Sequence, residues 1–433
     1  MDSMRFTANT NGIEKYLPIY CALIVYKTVF NYFIFLAPPL APLWMLLYNL
    51  VTLFGLVVYI PLAWRAFANP RYRRWLWPAL AIPTCVLINI AAAIVETGDF
   101  SLLSRNFRLP HAWGTQDEYG YYFSQINTWF GNISVVLIIC LFATTFETIK
   151  KCVLAILLTL FVPAFLTVVT HPGMLGVREG VMEAGNNEVF FGGGLWNIGV
   201  MGVGSVSWLA LSMVKNMSKG QRRFVVFSVA FFAFLGIAGL SRTLITMLVL
   251  SGGYYFLKAR KNNNWFINVI LVLLLSVAFI ILAWDLVAAI LFRFSDKTSG
   301  TQNVRLFLWQ SYLSYFDEVW LAGASFGNVY KYWNEISWNG DHFMPHSSVV
   351  NFLVRFGLLC AISYLILIKR AFLTIKESAR ITRDQTACIR AGGIAYILLA
   401  FMNQTGYAEP IFYLMFGLLL AYSQIVKKEE AAL

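Results

Sequence analysis

Uninterrupted apolar stretches of about twenty residues recur along this chain, the length needed to cross the hydrocarbon layer of a membrane. Residues 76–96 (LWPALAIPTCVLINIAAAIVE) and 264–284 (NWFINVILVLLLSVAFIILAW) are examples. In lipid no water is present to satisfy backbone N–H and C=O groups, so such segments must close their hydrogen bonds internally, as helices. Only 12% of the 433 residues are charged and 59% are hydrophobic, whereas soluble domains are roughly a quarter charged. The expected fold is an all-α, polytopic membrane protein.

Twelve spans are expected, near 17–37, 40–62, 76–96, 131–147, 152–170, 191–213, 224–240, 243–257, 264–292, 347–369, 391–406 and 410–426. They divide the chain into a membrane bundle (1–292), a large loop with short helices between the ninth and tenth spans (293–345), and the last three spans with a tail (346–433). Residues 1–16 are polar and mixed and carry no cleavable leader pattern, so the first span is expected to direct insertion.

The formal charge of +12 does not point to nucleic acid. Lys and Arg gather in alternate connectors: Arg65 to Arg74, Lys150 and Lys151, Lys215 to Arg223, Lys258 to Lys261, Lys369 to Arg390, and Lys427 with Lys428. That alternation is the positive-inside pattern. It puts both termini in the cytoplasm and the loops 97–130, 171–190, 293–345 and 404–409 outside. Those outer loops are acidic on balance. Cys21, Cys85, Cys140 and Cys360 fall in spans, with Cys152 and Cys388 at cytoplasmic connectors, so no exterior disulfide is implied. Gly199, Gly202 and Gly204 suit close helix packing, and Asn197 beside them could face a ligand.

Against that acidic exterior, a few cations stand out. Arg242, in the turn GLSRTLIT, is costly to hold in lipid and is suited to clamp a phosphate, because a planar guanidinium donates two parallel hydrogen bonds. The competing reading is an Arg reaching up to headgroups. Arg305 lies in NVRLFLWQ, whose pattern predicts a helix along the membrane surface with Trp309 one turn away; a cation–π pair between the two is the structural alternative. His346 follows Pro345, which fits the first turn of the tenth span. A helix N-terminus there keeps the imidazole neutral and able to take a proton. Ser348, Asn351 and Arg355 form one polar stripe on that span. His342 is a further candidate in the loop, as are Trp320, Tyr330, Tyr332, Trp333 and Trp338, which serve either as interfacial anchors or as platforms for sugar rings. Metal signals are poor: there is no HExxH, and the adjacent Asp117 and Glu118 read as solvated surface. No cofactor motif and no metal site are expected.

Three elements in this order, SRT at 241–243, NVRLFLWQ at 303–310 and PHSSVVNFLVRFGLL at 345–359, resemble the bacterial O-antigen polymerase/O-antigen ligase superfamily. The resemblance implies a GT-C-like helical bundle in the inner membrane with a periplasmic site. Arg242 and Arg305 would hold the diphosphate of an undecaprenyl-diphosphate-linked glycan, and His346 would act on the hydroxyl of an acceptor glycan. A chain-length regulator and a flippase are further partners it allows. Many members carry His-Asn where this chain has His346-Ser347. Three functions stay open at this point: a polysaccharide polymerase, favoured by the PHSSVVNFLVRFG wording; a ligase delivering finished glycan to lipid A-core; and a flippase for the same lipid-linked sugars, to which Lys27, Asp285 and Arg355 would point.

Overall fold

The computed structural model describes residues 12–98, 121–176, 180–184, 187–191, 194–259, 301–323, 337–338, 341–342, 347–378, 381–402 and 409–431. The helices, in chain order, are α1 (Leu17–Leu36), α2 (Ala41–Ala68), α3 (Pro70–Thr97), α4 (Tyr121–Phe142), α5 (Phe146–Thr170), α6 (Gly194–Gly204), α7 (Val206–Met213), α8 (Lys219–Ala238), α9 (Arg242–Ala259), α10 (Thr301–Leu313), α11 (Phe316–Val319), α12 (Ser348–Leu373), α13 (Arg383–Met402) and α14 (Pro410–Glu430). Two antiparallel ribbons add strands to the helical architecture: β1 (Gly180–Ala184) with β2 (Asn187–Phe191), and β3 (Ser337–Trp338) with β4 (Asp341–His342).

Among the described residues eight helices are long and apolar enough to span a membrane, or nine if α6 and α7, bent by 48°, form one crossing. That is fewer than the twelve expected. The expected spans 131–147 and 243–257 coincide with α4 and α9, which do not meet that measure, and 264–292 lies outside the described residues. Several boundaries also move. The span expected at 131–147 ends at Phe142, because Thr145 caps a new helix, its hydroxyl accepting the Thr148 amide at 3.2 Å. Lys150, Lys151 and Cys152 therefore sit on α5, and Cys388 and Arg390 on α13, where connectors were expected. The stretch 191–213 opens on the last residue of β2 and breaks at Ser205.

The last helix is the centre of the bundle. Eighty-three per cent of the apolar window of α14 is buried, against 22% for the span containing α2, which lies at the periphery. Trp129 of α4 packs its ring 4.9 Å from Phe352, 5.5 Å from Phe356 and 6.1 Å from Tyr413, tying α4, α12 and α14 together. The Tyr364 and Tyr396 hydroxyls share a hydrogen bond inside this core, so two buried polar groups satisfy each other. All six cysteines are buried and free.

Helix pairs approach through small residues, since lipid offers no hydrophobic drive and close van der Waals contact must supply it. Gly199 and Gly202 of α6 lie against Phe232 of α8, as the glycine pattern predicted. Gly55 of α2 faces Gly131 of α4, where Ser134 also donates to the Gly55 carbonyl at 2.6 Å.

Basic connectors meet at one end. Arg370 donates to the carbonyls of Arg74 and Trp75 at 2.9 and 2.5 Å, Arg383 to that of Lys258 at 2.7 Å, and Lys215 pairs with Asp384 at 3.0 Å. Lys427 stands 4.5 Å above the Trp75 ring. At this end too, Glu14 accepts from Thr144, Thr145 and Thr148 at 2.8, 3.0 and 2.5 Å.

Candidate functional site

The opposite rim carries Arg242 and the start of α12. Arg242 owes its place to a tight turn. At the end of α8 the Ser241 amide reaches the Gly236 carbonyl at 2.9 Å and the Leu240 amide reaches Ile237 at 2.9 Å, the paired bonds of a Schellman cap. The residue that must be left-handed there is Leu240 (φ 52°), a position usually given to glycine. Ser241 then caps α9, its Oγ accepting the Leu244 amide at 3.3 Å. Arg242 is thereby delivered as the first residue of α9, half-buried at the rim. Trp196 of α6 presses on Gly239 in the same turn. The next residue, Asn197, keeps a buried Oδ1 with no hydrogen-bond partner among the described residues. A buried amide carbonyl left so is suited to receive a hydrogen bond from a ligand.

A second polar corner forms where the large loop returns to the bundle. Gly357 interrupts α12 (φ 84°, ψ 176°), a conformation open essentially to glycine alone. The amide of Leu358 consequently bonds the Trp320 carbonyl at 2.8 Å instead of closing a helical turn. Asn89 of α3 donates to the neighbouring Ala322 carbonyl at 3.0 Å. The turn Trp320–Gly323 is thus wedged between α3 and α12, and Gly323 (φ 78°) completes the fit. A Cβ on Gly357 would collide with the Leu321 carbonyl, and one on Gly323 with the carbonyl of Arg355. Irregular backbone is tolerated at membrane depth where other protein satisfies it, and that is the case here.

The wedge sets Arg355 two residues above the break and beside α10. Burial pushes the Tyr312 hydroxyl up to about 12, against the pull of the Arg355 guanidinium. Trp309 and Tyr312 share one face of α10 by their spacing of three, and Arg305 stands four residues before Trp309 on the same helix. Trp309 has a buried Nε1 without a partner among the described residues. The structure therefore joins the Asn351–Arg355 stripe of α12 to the helix that carries Arg305, whereas Arg242 stands on the corner formed by α6, α8 and α9. Sequence reasoning missed Tyr312; its place in the Arg305–Trp309 register was the available signal.

The other candidates are placed less fully. His342 lies on β4, its backbone paired with Ser337, where an irregular loop was expected. His346 and Pro345 lie outside the described residues, as do Asp285, Asp117, Glu118, Tyr330, Tyr332 and Trp333. α12 begins at Ser348, capped by Ser347, whose Oγ accepts the Val350 amide at 3.4 Å. Pro345 thus precedes the helix and is not in its first turn; a serine hydroxyl can satisfy an orphan amide and proline cannot.

A separate polar group joins Lys27 to Tyr48 and Glu409. Lys27 lies 5.1 Å from the Tyr48 ring centroid, and Glu409, just before α14, interacts with both. Burial pushes the Glu409 carboxyl up to about 7, with the Lys27 charge and Thr28 drawing it back down. Among the described residues no cluster of three His, Cys, Asp or Glu is set to hold a metal ion.

No curated protein matches the chain. A family model does: residues 227–365, about a third of the chain, match the model described as O-antigen ligase. That range spans α9, α10, the wedge and the polar half of α12, and includes Arg242, Arg305, Trp309, His342, His346, Asn351 and Arg355. The segment from 227 to 365 is thus similar to the O-antigen ligase family, which supports the resemblance to the polymerase/ligase superfamily.

Proposed function

We propose that the protein is a membrane glycosyltransferase that polymerises O-antigen or a related surface polysaccharide. The donor is a glycan on undecaprenyl diphosphate, and the acceptor is a sugar hydroxyl of another lipid-linked repeat unit. The family match over the segment holding Arg242, Arg305 and His346 supports the glycosyltransferase class, and the PHSSVVNFLVRFG wording favours the polymerase within it. Arg242 and Arg305 grip the diphosphate. His346 takes the proton from the acceptor hydroxyl as its oxygen bonds to the anomeric carbon, and the carbon–oxygen bond to the diphosphate breaks, the electron pair leaving with the phosphate. Guanidinium groups aimed at the developing charge stabilise it without a metal. Direct displacement of this kind inverts the anomeric centre. Arg355, anchored by the wedge, extends the cationic surface next to α10.

The basic end faces the cytoplasm in this reading and the Arg242 rim the periplasm, in a bacterial inner membrane with both termini inside. The description of the matched family favours a second reading, transfer of finished glycan to lipid A-core. A deletion strain separates the two. Loss of long chains with one repeat unit still attached to lipopolysaccharide means polymerase; no attached unit means ligase. Glycan transfer by purified protein in detergent tests catalysis itself, since a flippase requires a sealed compartment.

A further inference from the structure

Away from that rim, α12 and α13 leave between them an open groove of about 400 Å³, flanked by Tyr254 of α9. Its walls are almost wholly apolar, and Gly393 makes its floor, where a Cβ would press into the Phe372 ring. The trough follows α13 from Arg390 past Ile397 to Phe401. At 1.5 Å per residue that is roughly 16 Å, which is about half of a bilayer's ~30 Å hydrocarbon core and the reach of one acyl chain.

The groove is charged at one end only. Lys369 and Arg390 line it there, and no acid is among its lining residues. Arg390 differs from its neighbours. Arg370 and Arg383 are taken up by backbone carbonyls, and Asp384 on the same helix is engaged by Lys215. The Arg390 Nε is buried with no hydrogen-bond partner among the described residues. A guanidinium donor left over beside an apolar trough is complementary to a phosphate that brings its own hydrocarbon.

We propose that this groove binds an anionic glycerophospholipid of the leaflet at the basic end. Its phosphate rests on Lys369 and Arg390, and one acyl chain lies over Gly393 toward Ile397. The site stands apart from the glycan-transfer reading, which needs a diphosphate at the opposite rim.

Native mass spectrometry of the full-length, delipidated protein tests this with phosphatidylglycerol and phosphatidylcholine of the same acyl chains. One phosphatidylglycerol is expected to be retained in preference, and Lys369→Gln and Arg390→Gln each to weaken retention about fivefold. Ile397→Trp fills the trough while keeping both cations, and is expected to abolish retention whatever the folding of Arg390→Gln. Equal retention of phosphatidylcholine, unchanged binding in these variants, or stronger retention of undecaprenyl phosphate would overturn the proposal. A photoreactive side chain at Ile394 should label the lipid; labelling of this chain's own residues 264–292 would show that the groove is filled from within.

Discussion

The two ends of the bundle treat polar groups in opposite ways. At the basic end most of the cations named above find partners inside the protein, Arg370 and Arg383 on carbonyls, Lys215 on Asp384 and Lys427 on the Trp75 face, with the Arg390 Nε the exception. At the other rim polar groups are packed in with bonding capacity to spare, as in Asn197 and Trp309. Charge near a membrane therefore says little until its partners are known. Where carbonyls and carboxylates answer it, the charge holds helices in register. Where buried donors and acceptors are left over, a ligand is the expected partner.

The largest effects should come from breaking the rim. Arg242→Ala, Arg305→Ala and His346→Ala are each expected to lower glycan transfer by about 10²-fold or more, with insertion and detergent elution unchanged. Arg305→Lys should be poor as well, because an ammonium cannot make the two-pronged contact. Near-normal transfer by His346→Ala would remove it as the base. Next is the wedge. Gly357→Ala places a Cβ where both the backbone angles and the Leu321 carbonyl forbid it. It should cost about 3 kcal/mol or more, read as a lower midpoint in thermal melts, and release Arg355 from its position. If Gly357→Ala melts like the parent, the break in α12 is not what holds the loop.

Smaller effects belong to the basic end. Arg370→Met removes two hydrogen bonds to α3 and should cost about 1–2 kcal/mol while leaving the transfer rate alone. A matching loss of transfer would erase the distinction between the ends. The least is expected of Glu14. Its partial burial acts to raise its affinity for a proton, but the hydroxyls of Thr148, Thr144 and Thr145 and the Thr144 amide outweigh that and hold the carboxyl below 4.5. A folded value below the unfolded one stabilises at higher pH, and that share is lost as pH falls through the folded value. Glu14→Gln should therefore lower the melting temperature near neutrality and narrow its gap from the parent as the medium becomes acidic; a constant gap would rule out this linkage.

Much of this was legible in the residues themselves. Long apolar runs demand helices wherever water is absent, and the alternation of Lys and Arg among connectors foretold that those connectors would share one end. Gly199 and Gly202 announced a close crossing, and the spacing of Asn351 and Arg355 put them on one stripe. Caps were read less well: Thr145 and Ser347 each moved a helix start by a few residues, since a hydroxyl competes for the same amides that an apolar run would claim.

What remained hidden depends on contacts between distant segments. Nothing in VRFGLL says that Gly357 breaks a helix, because glycine is equally at home in a packed one such as α6. The break exists because Trp320 offers its carbonyl to Leu358 and Asn89 holds the turn from the other side. In the same way, Arg390 reads as one more basic connector residue, yet its Nε is left over beside a groove among the described residues. Local chemistry decides which segments must be helical and which end carries the charge. Which polar groups are answered, and which are kept for something else, follows only when remote pieces of chain are brought within hydrogen-bonding reach.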